Sequence, residues 1–199
     1  MHTTSRRWEP VVLAACLLVA VTGCTTGDDA ERRAPVAPGS PSADAGASLL
    51  PPLPEDGQRL SCADSVATEA APGEQYRVVA DAVAVSSTVL QPVESSGNRG
   101  PTRLFAKWGL YVRAGAAAEV RVAPGWEDRA RIGWGPGTAP ATTVQVEACP
   151  VATGPGAWSV FTGGTWVASK ACVPLVIRSQ GREAVARLAV GVACGRSTP

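Results

Sequence analysis

The sequence predicts an all-β fold, an antiparallel β-sandwich of immunoglobulin-like or related type with two disulfides, preceded by a leader and a tether. Three observations predict it. Short β-prone runs recur from residue 58 onward, separated by turns such as Pro124-Gly125, Gly135-Pro136-Gly137 and Gly163-Gly164. Several runs alternate apolar and polar residues, the period-two pattern of a strand with one face buried and one wet. Cys62, Cys149, Cys172 and Cys194 fall in the same stretch, an even number that suits two disulfides in an oxidising compartment. The expected boundaries are 1–23 for the leader, 24–57 for the tether and 58–199 for the sandwich.

The leader has a basic start, with Arg6 and Arg7, and then eleven apolar residues, 11–21. That run suits a signal-peptide core and is too short to span a bilayer, which needs roughly 20 residues. Ser5-Arg6-Arg7 carries the paired arginines of a twin-arginine signal, but Glu9 stands where that motif has an apolar aromatic, so the segment reads as an ordinary basic start. The run closes on Val21-Thr22-Gly23-Cys24, which resembles a bacterial lipobox. The resemblance implies a signal peptide cut before Cys24 and a diacylglycerol thioether on that cysteine. Two acyl chains anchor a protein stably where one is marginal. The expected location is the outer face of the cytoplasmic membrane, with the membrane itself as partner through the lipid at Cys24.

The tether follows. Prolines at 35, 38, 41, 51, 52 and 54 stand among Ala, Gly, Ser and Asp, and no apolar periodicity begins before Leu60. Such a chain cannot bury enough surface to fold. As a coil, 33 residues span roughly 30 Å, and as extended polyproline about 100 Å.

In the domain, strands are expected at 76–87, 103–113, 118–122, 130–134, 142–149, 158–162, 165–169, 173–179 and 184–192. The one helix candidate is 63–71, stopped by Pro72-Gly73. Ala118, Val120 and Val122 share a face opposite Glu119 and Arg121; Ile132 and Trp134 oppose Arg129 and Arg131; Leu188, Val190 and Val192 share a face near the end. The last two runs read as a hairpin turning at 179–182. Glycines 163, 164 and 191 imply bulges or close backbone approach. The 142 residues of 58–199 suffice for a sizeable core. Four cysteines allow three pairings. Cys172 opens one arm of the last hairpin and Cys194 follows the other, which favours Cys172–Cys194 with Cys62–Cys149.

Ala148-Cys149-Pro150, Phe161-Thr162-Gly163-Gly164-Thr165-Trp166, Cys172-Val173-Pro174-Leu175 and Gly191-Val192-Ala193-Cys194, with Lys107-Trp108-Gly109-Leu110 and Ile132-Gly133-Trp134-Gly135, resemble a group of actinobacterial exported proteins and lipoproteins of uncharacterised function. The resemblance spans about 103–194 and brings no activity with it. The bias of 16 arginines to two lysines, Lys107 and Lys170, is similar to that of high-GC actinobacterial proteomes.

Composition and motifs exclude more chemistry than they supply. Once Arg6, Arg7 and Glu9 leave with the leader, 16 basic and 16 acidic side chains remain. That balance argues against nucleic acid or an anionic bilayer surface as the main partner, because both need a basic excess. The only histidine is His2, in the leader, so no histidine triad, histidine base or ordinary zinc site follows. Ser169-Lys170 is adjacent, not at the Ser-x-x-Lys spacing. No calcium loop or phosphate-binding glycine motif occurs. No cofactor and no catalytic residue is expected. Glu127-Asp128 after Trp126 is the one carboxylate pair that could serve glycoside hydrolysis, and its plainer reading is a polar turn.

One surface stands out. In 103–113, Leu104, Ala106, Trp108, Leu110 and Val112 form the natural core face, and the other face carries Arg103, Phe105, Lys107, Tyr111 and Arg113. Interleaved aromatics and cations can grip an anionic glycan or polymer by stacking and charge. The alternative is packing of Phe105 and Tyr111 under a second layer while the cations reach solvent. Trp126, Trp134, Trp158 and Trp166 read first as core anchors. The leading expectation is therefore a non-enzymatic, lipid-anchored binding or scaffolding domain of the cell envelope, with an envelope protein or glycan as partner. A glycan or small-ligand module on exposed aromatics comes second, and an envelope hydrolase third.

Overall fold

Alternation in the sequence becomes alternation in burial. The computed structural model describes residues 50–95, 100–137, 139–151 and 157–195; Val21, Thr22, Gly23, Cys24 and the turn Gly154-Pro155-Gly156 lie outside the described residues. The strands are β1 (Gln58–Leu60), β2 (Ala67–Glu69), β3 (Tyr76–Val79), β4 (Val83–Ser86), β5 (Val93–Glu94), β6 (Leu104–Arg113), β7 (Ala118–Val122), β8 (Ala130–Trp134), β9 (Thr143–Val146), β10 (Trp158–Val167), β11 (Ala171–Ser179) and β12 (Arg182–Val190). A five-stranded sheet runs β1-β9-β7-β11-β12, and a seven-stranded sheet runs β2-β10-β6-β4-β3, with β5 on β6 and β8 on β10. Among these strands the pairings are antiparallel except β1 with β9. The all-β, sandwich-like architecture expected from the sequence is the one found.

The inner faces of both sheets contribute to one core. Val120, Val144, Leu175, Ile177 and Leu188 come from the five-stranded sheet. Val83, Val85, Trp108, Leu110, Ile132, Trp134 and Phe161 come from the other. Trp108 and Trp134 meet edge to face, centroids 4.9 Å apart at 89°. Such a pair adds about 0.5–1.5 kcal/mol beyond its buried area. Both indole N–H groups are satisfied: Trp108 donates to Thr165 Oγ1 at 2.9 Å and Trp134 to the Trp108 carbonyl at 3.2 Å. The cysteines pair as Cys62–Cys149 and Cys172–Cys194, with Cα atoms 5.3 and 5.1 Å apart.

Four local expectations are corrected. Residues 63–71 are not a helix: Cys62–Asp64 is a single 3-10 turn, where Ser61 N–H and Oγ both donate to Asp64 Oδ2, and β2 follows because the β10 edge captures it. Residues 76–87 are not one strand but the β3–β4 hairpin. Its turn residues Ala80 and Asp81 sit at φ 47° and 59°. L-residues avoid that region, and tertiary contacts hold the turn there: Arg113 Nε donates to the Asp81 carbonyl at 2.9 Å, and Arg182 pairs with the Asp81 carboxylate. Gly163-Gly164 does not separate two strands; both lie inside β10. Val192 does not share the face of Leu188 and Val190: it lies past the end of β12, after Gly191 turns the chain at φ 67°, and is exposed.

Part of the segment read as tether lies against the domain. Gln145 Nε2 donates to the Pro51 carbonyl at 2.7 Å, and Thr142 Oγ1 donates to Asp56 Oδ2 at 2.9 Å. On the outer face of the same sheet the Glu119 carboxylate is 2% exposed and accepts from Gln145 Nε2 at 3.0 Å and Arg178 Nη1 at 3.3 Å.

Candidate functional site

Strand β6 sends Leu104, Ala106, Trp108, Leu110 and Val112 inward, so Phe105, Lys107, Gly109, Tyr111 and Arg113 stand on the outer face of the seven-stranded sheet. Arg103 precedes the strand and is exposed. Gly109 divides this face into two unlike halves.

In the first half, Tyr111 is 8% exposed and packs with Ala84, Trp158 and Val160. The Tyr76 ring lies over it, centroids 4.6 Å apart, and the Tyr76 hydroxyl accepts from Gly109 N–H at 3.3 Å. The Arg113 guanidinium sits 4.5 Å above the Trp158 ring. Burial, then the neighbouring Glu69 carboxylate, raises the Tyr111 phenol above its ordinary pKa of 10.0. Tyr111 and Arg113 are thus engaged in a small second core.

The second half is open. Phe105 and Trp166 are half-buried, centroids 4.6 Å apart and tilted 38°. They are direct cross-strand partners, and Trp166 is also opposite Arg131 on β8. Val93 of β5, 63% exposed, faces Phe105 from the other side. The row Val93–Phe105–Trp166–Arg131 therefore crosses four strands, with exposed Lys107 one step along β6. The row needs Gly164. A Cβ there would stand 2.7 Å from Phe105 Cε2 and would also strike the Ala106 carbonyl, so the Phe105 ring occupies the space a side chain would take.

Arg131 links the row to a cleft of about 230 Å³, lined among others by Pro101, Thr102, Glu127, Asp128 and Pro140. Glu127 Oε2 accepts from Gly125 N–H at 2.7 Å, and Arg129 stacks on the Trp126 ring at 4.0 Å, so Trp126 and Glu127 brace their own turn. Asp128 is exposed. Both acids of the cleft sit on consecutive residues of that turn, whereas a glycosidase sets two carboxylates about 5–10 Å apart on either side of its bond. Among the described residues no group of three His, Cys, Asp or Glu side chains could hold a metal ion.

The structure thus brings together Phe105 and Lys107 of the surface named from sequence, draws Tyr111 and Arg113 into packing, and leaves Arg103 at the margin. Trp134 and Trp158 are buried. Trp166 is the ring that sequence reasoning assigned first to the core. Only the structure shows it: Thr165 and Val167 are both 0% exposed, so alternation along β10 turns Trp166 outward. No protein-family model and no curated protein matches the chain.

Proposed function

We propose that the chain is a non-enzymatic binding domain of the cell envelope, anchored to the outer face of the cytoplasmic membrane by lipid on Cys24. Its ligand face is the Phe105–Trp166–Arg131 row with Lys107. The observation that carries this reading is that row: two half-buried aromatic rings and two cations on the outer face of a sheet whose inner face is packed. The rest of that face is filled by the Tyr111 cluster, so the open aromatics are not a gap awaiting core. The two disulfides fit an oxidising compartment outside the cytoplasm.

The test is retention of the full chain, purified in detergent, on isolated cell-envelope material. Replacing Phe105 and Trp166 together by Ala lowers retention about tenfold, the loss of roughly 1.4 kcal/mol of contact. Val185→Ala, on the outer face of the other sheet, leaves retention unchanged. Equal retention of wild type and the double variant, with circular dichroism showing both folded, refutes the reading.

A further inference from the structure

We infer that the ligand of this face is a neutral, hydroxyl-rich glycan, one sugar ring stacking on Trp166 and a neighbouring ring entering the cleft beside Arg131. The inference rests on the reading of this face as the binding face and adds the chemistry of what it binds.

Three features lead there. First, Trp166 is a half-buried ring on the outer face within the row, with Phe105 tilted beside it. Ring faces take up the C–H side of a sugar while leaving its hydroxyls to the surroundings. Second, the cleft is small. At about 230 Å³ it falls below the roughly 300–1,000 Å³ of pockets that enclose a whole drug-sized molecule, so it takes one ring-sized unit of a longer chain. Third, its polar lining is mixed. Asp128 supplies acceptors only and Arg131 donors only. A sugar diol, in which each hydroxyl both gives and accepts, matches that set. Arg131 makes one hydrogen bond, Nη1 to the Ala130 carbonyl at 3.3 Å, which leaves further donors of its fork for a ligand.

Charge selects neutral over anionic chains. Arg103, Lys107 and Arg131 stand against Glu127 and Asp128, so a polyanion that gains from the cations meets two carboxylates at the cleft. A cationic peptide meets the reverse conflict. A neutral glycan meets neither and uses both signs as hydrogen-bond partners.

The experiment divides the envelope material used above into three portions: oxidised with periodate, which cleaves vicinal diols; digested with protease; and untreated but assayed in 1 M salt, where the Debye length is about 3 Å. The expected result is loss of retention after periodate, with retention kept after protease and in high salt. Asp128→Asn, a near-isosteric change at an exposed site, reduces retention about tenfold without changing the melting temperature. Trp166→Phe, which keeps a ring, retains more than Trp166→Ala. Retention that survives periodate, or that protease or salt abolishes, overturns the glycan assignment. If that retention still requires Phe105 and Trp166, the binding face stands and only its ligand class fails; if it does not, both fail.

Discussion

The two disulfides close loops of very different length, and their removal tests how far loop closure holds this domain together. Cys62 and Cys149 are 87 residues apart, Cys172 and Cys194 only 22. In the chain-entropy picture the longer link is worth about 4.6 kcal/mol and the shorter about 3.4 kcal/mol, all of it from restricting the unfolded chain. Native contacts push the same way. Cys149 is 6% exposed within the core, and its carbonyl accepts from Gly115 N–H at 2.6 Å; Cys62 N–H donates to Glu147 Oε1 at 2.7 Å. The Cys172–Cys194 link ties the chain just past β12 back to β11, and nine residue pairs of one hairpin already bring those strands together. Urea unfolding of Cys62→Ala/Cys149→Ala and of Cys172→Ala/Cys194→Ala should therefore give losses that differ by at least about 1 kcal/mol, the first larger. A total stability in the usual range of about 5–15 kcal/mol leaves room for the first variant to be unfolded in water while the second still shows a transition. Equal losses, or a larger loss for the Cys172–Cys194 pair, would refute the loop-length argument.

Four further outcomes follow from the same structure. Gly163→Ala drives a methyl group against the Gly133 carbonyl and to 2.5 Å from Trp134 Cα, backbone that cannot swing aside; a loss of about 3 kcal/mol in thermal or urea unfolding is expected. Tyr111 has a raised pKa in the fold, so its contribution to stability is complete below pH 10 and is lost as pH climbs through the folded value; Tyr111→Phe should lose less stability than wild type between pH 9 and pH 12, read by alkaline denaturation. Arg178 bridges one buried and one exposed acid, and the two should differ: Glu119→Ala costs about 2 kcal/mol, whereas Glu183→Ala, whose carboxylate is half in solvent, stays within about 0.5 kcal/mol by urea titration. Cys24→Ala should leave the membrane fraction as uncleaved precursor or enter the medium, and incorporation of labelled fatty acid into that variant would count against the anchor.

What could be read from the sequence depended on whether the deciding interaction was local. Residues 118–122 and 130–134 match β7 and β8 to the residue because apolar side chains alternate there with Glu119, Arg121 and Arg131. The final hairpin was legible because Gln180 and Gly181, both at positive φ, turn it between two apolar runs. The β3–β4 turn was not, because Ala80-Asp81 carries none of the Gly or Asn that usually marks such a turn, and the contacts that hold it come from Arg113 and Arg182, 32 and 101 residues further on. β2 has no pattern of its own and exists as a partner of β10. For the site, alternation along β6 named the outward residues correctly, yet which of them stay open was decided by Tyr76, Trp158 and Val160 closing over Tyr111.

The glycine pair joins the fold to the face. Strand β10 pairs with β2 and β8 along one edge and with β6 along the other. Gly163 lets the Gly133–Trp134 backbone approach from β8, and Gly164 lets the Ala106 carbonyl and the Phe105 ring approach from β6. A side chain at 163 would separate the strands that carry Trp166 and Arg131; one at 164 would strike the Ala106 carbonyl and displace the Phe105 ring. The same two residues that read as a break in the sequence are what keep β10 continuous for ten residues and set three outward side chains in one row. A variant at Gly164 should therefore lose ligand retention as Phe105 is displaced, and lose stability with it, because the Ala106 carbonyl it strikes is β6 backbone beside the core residue Trp108.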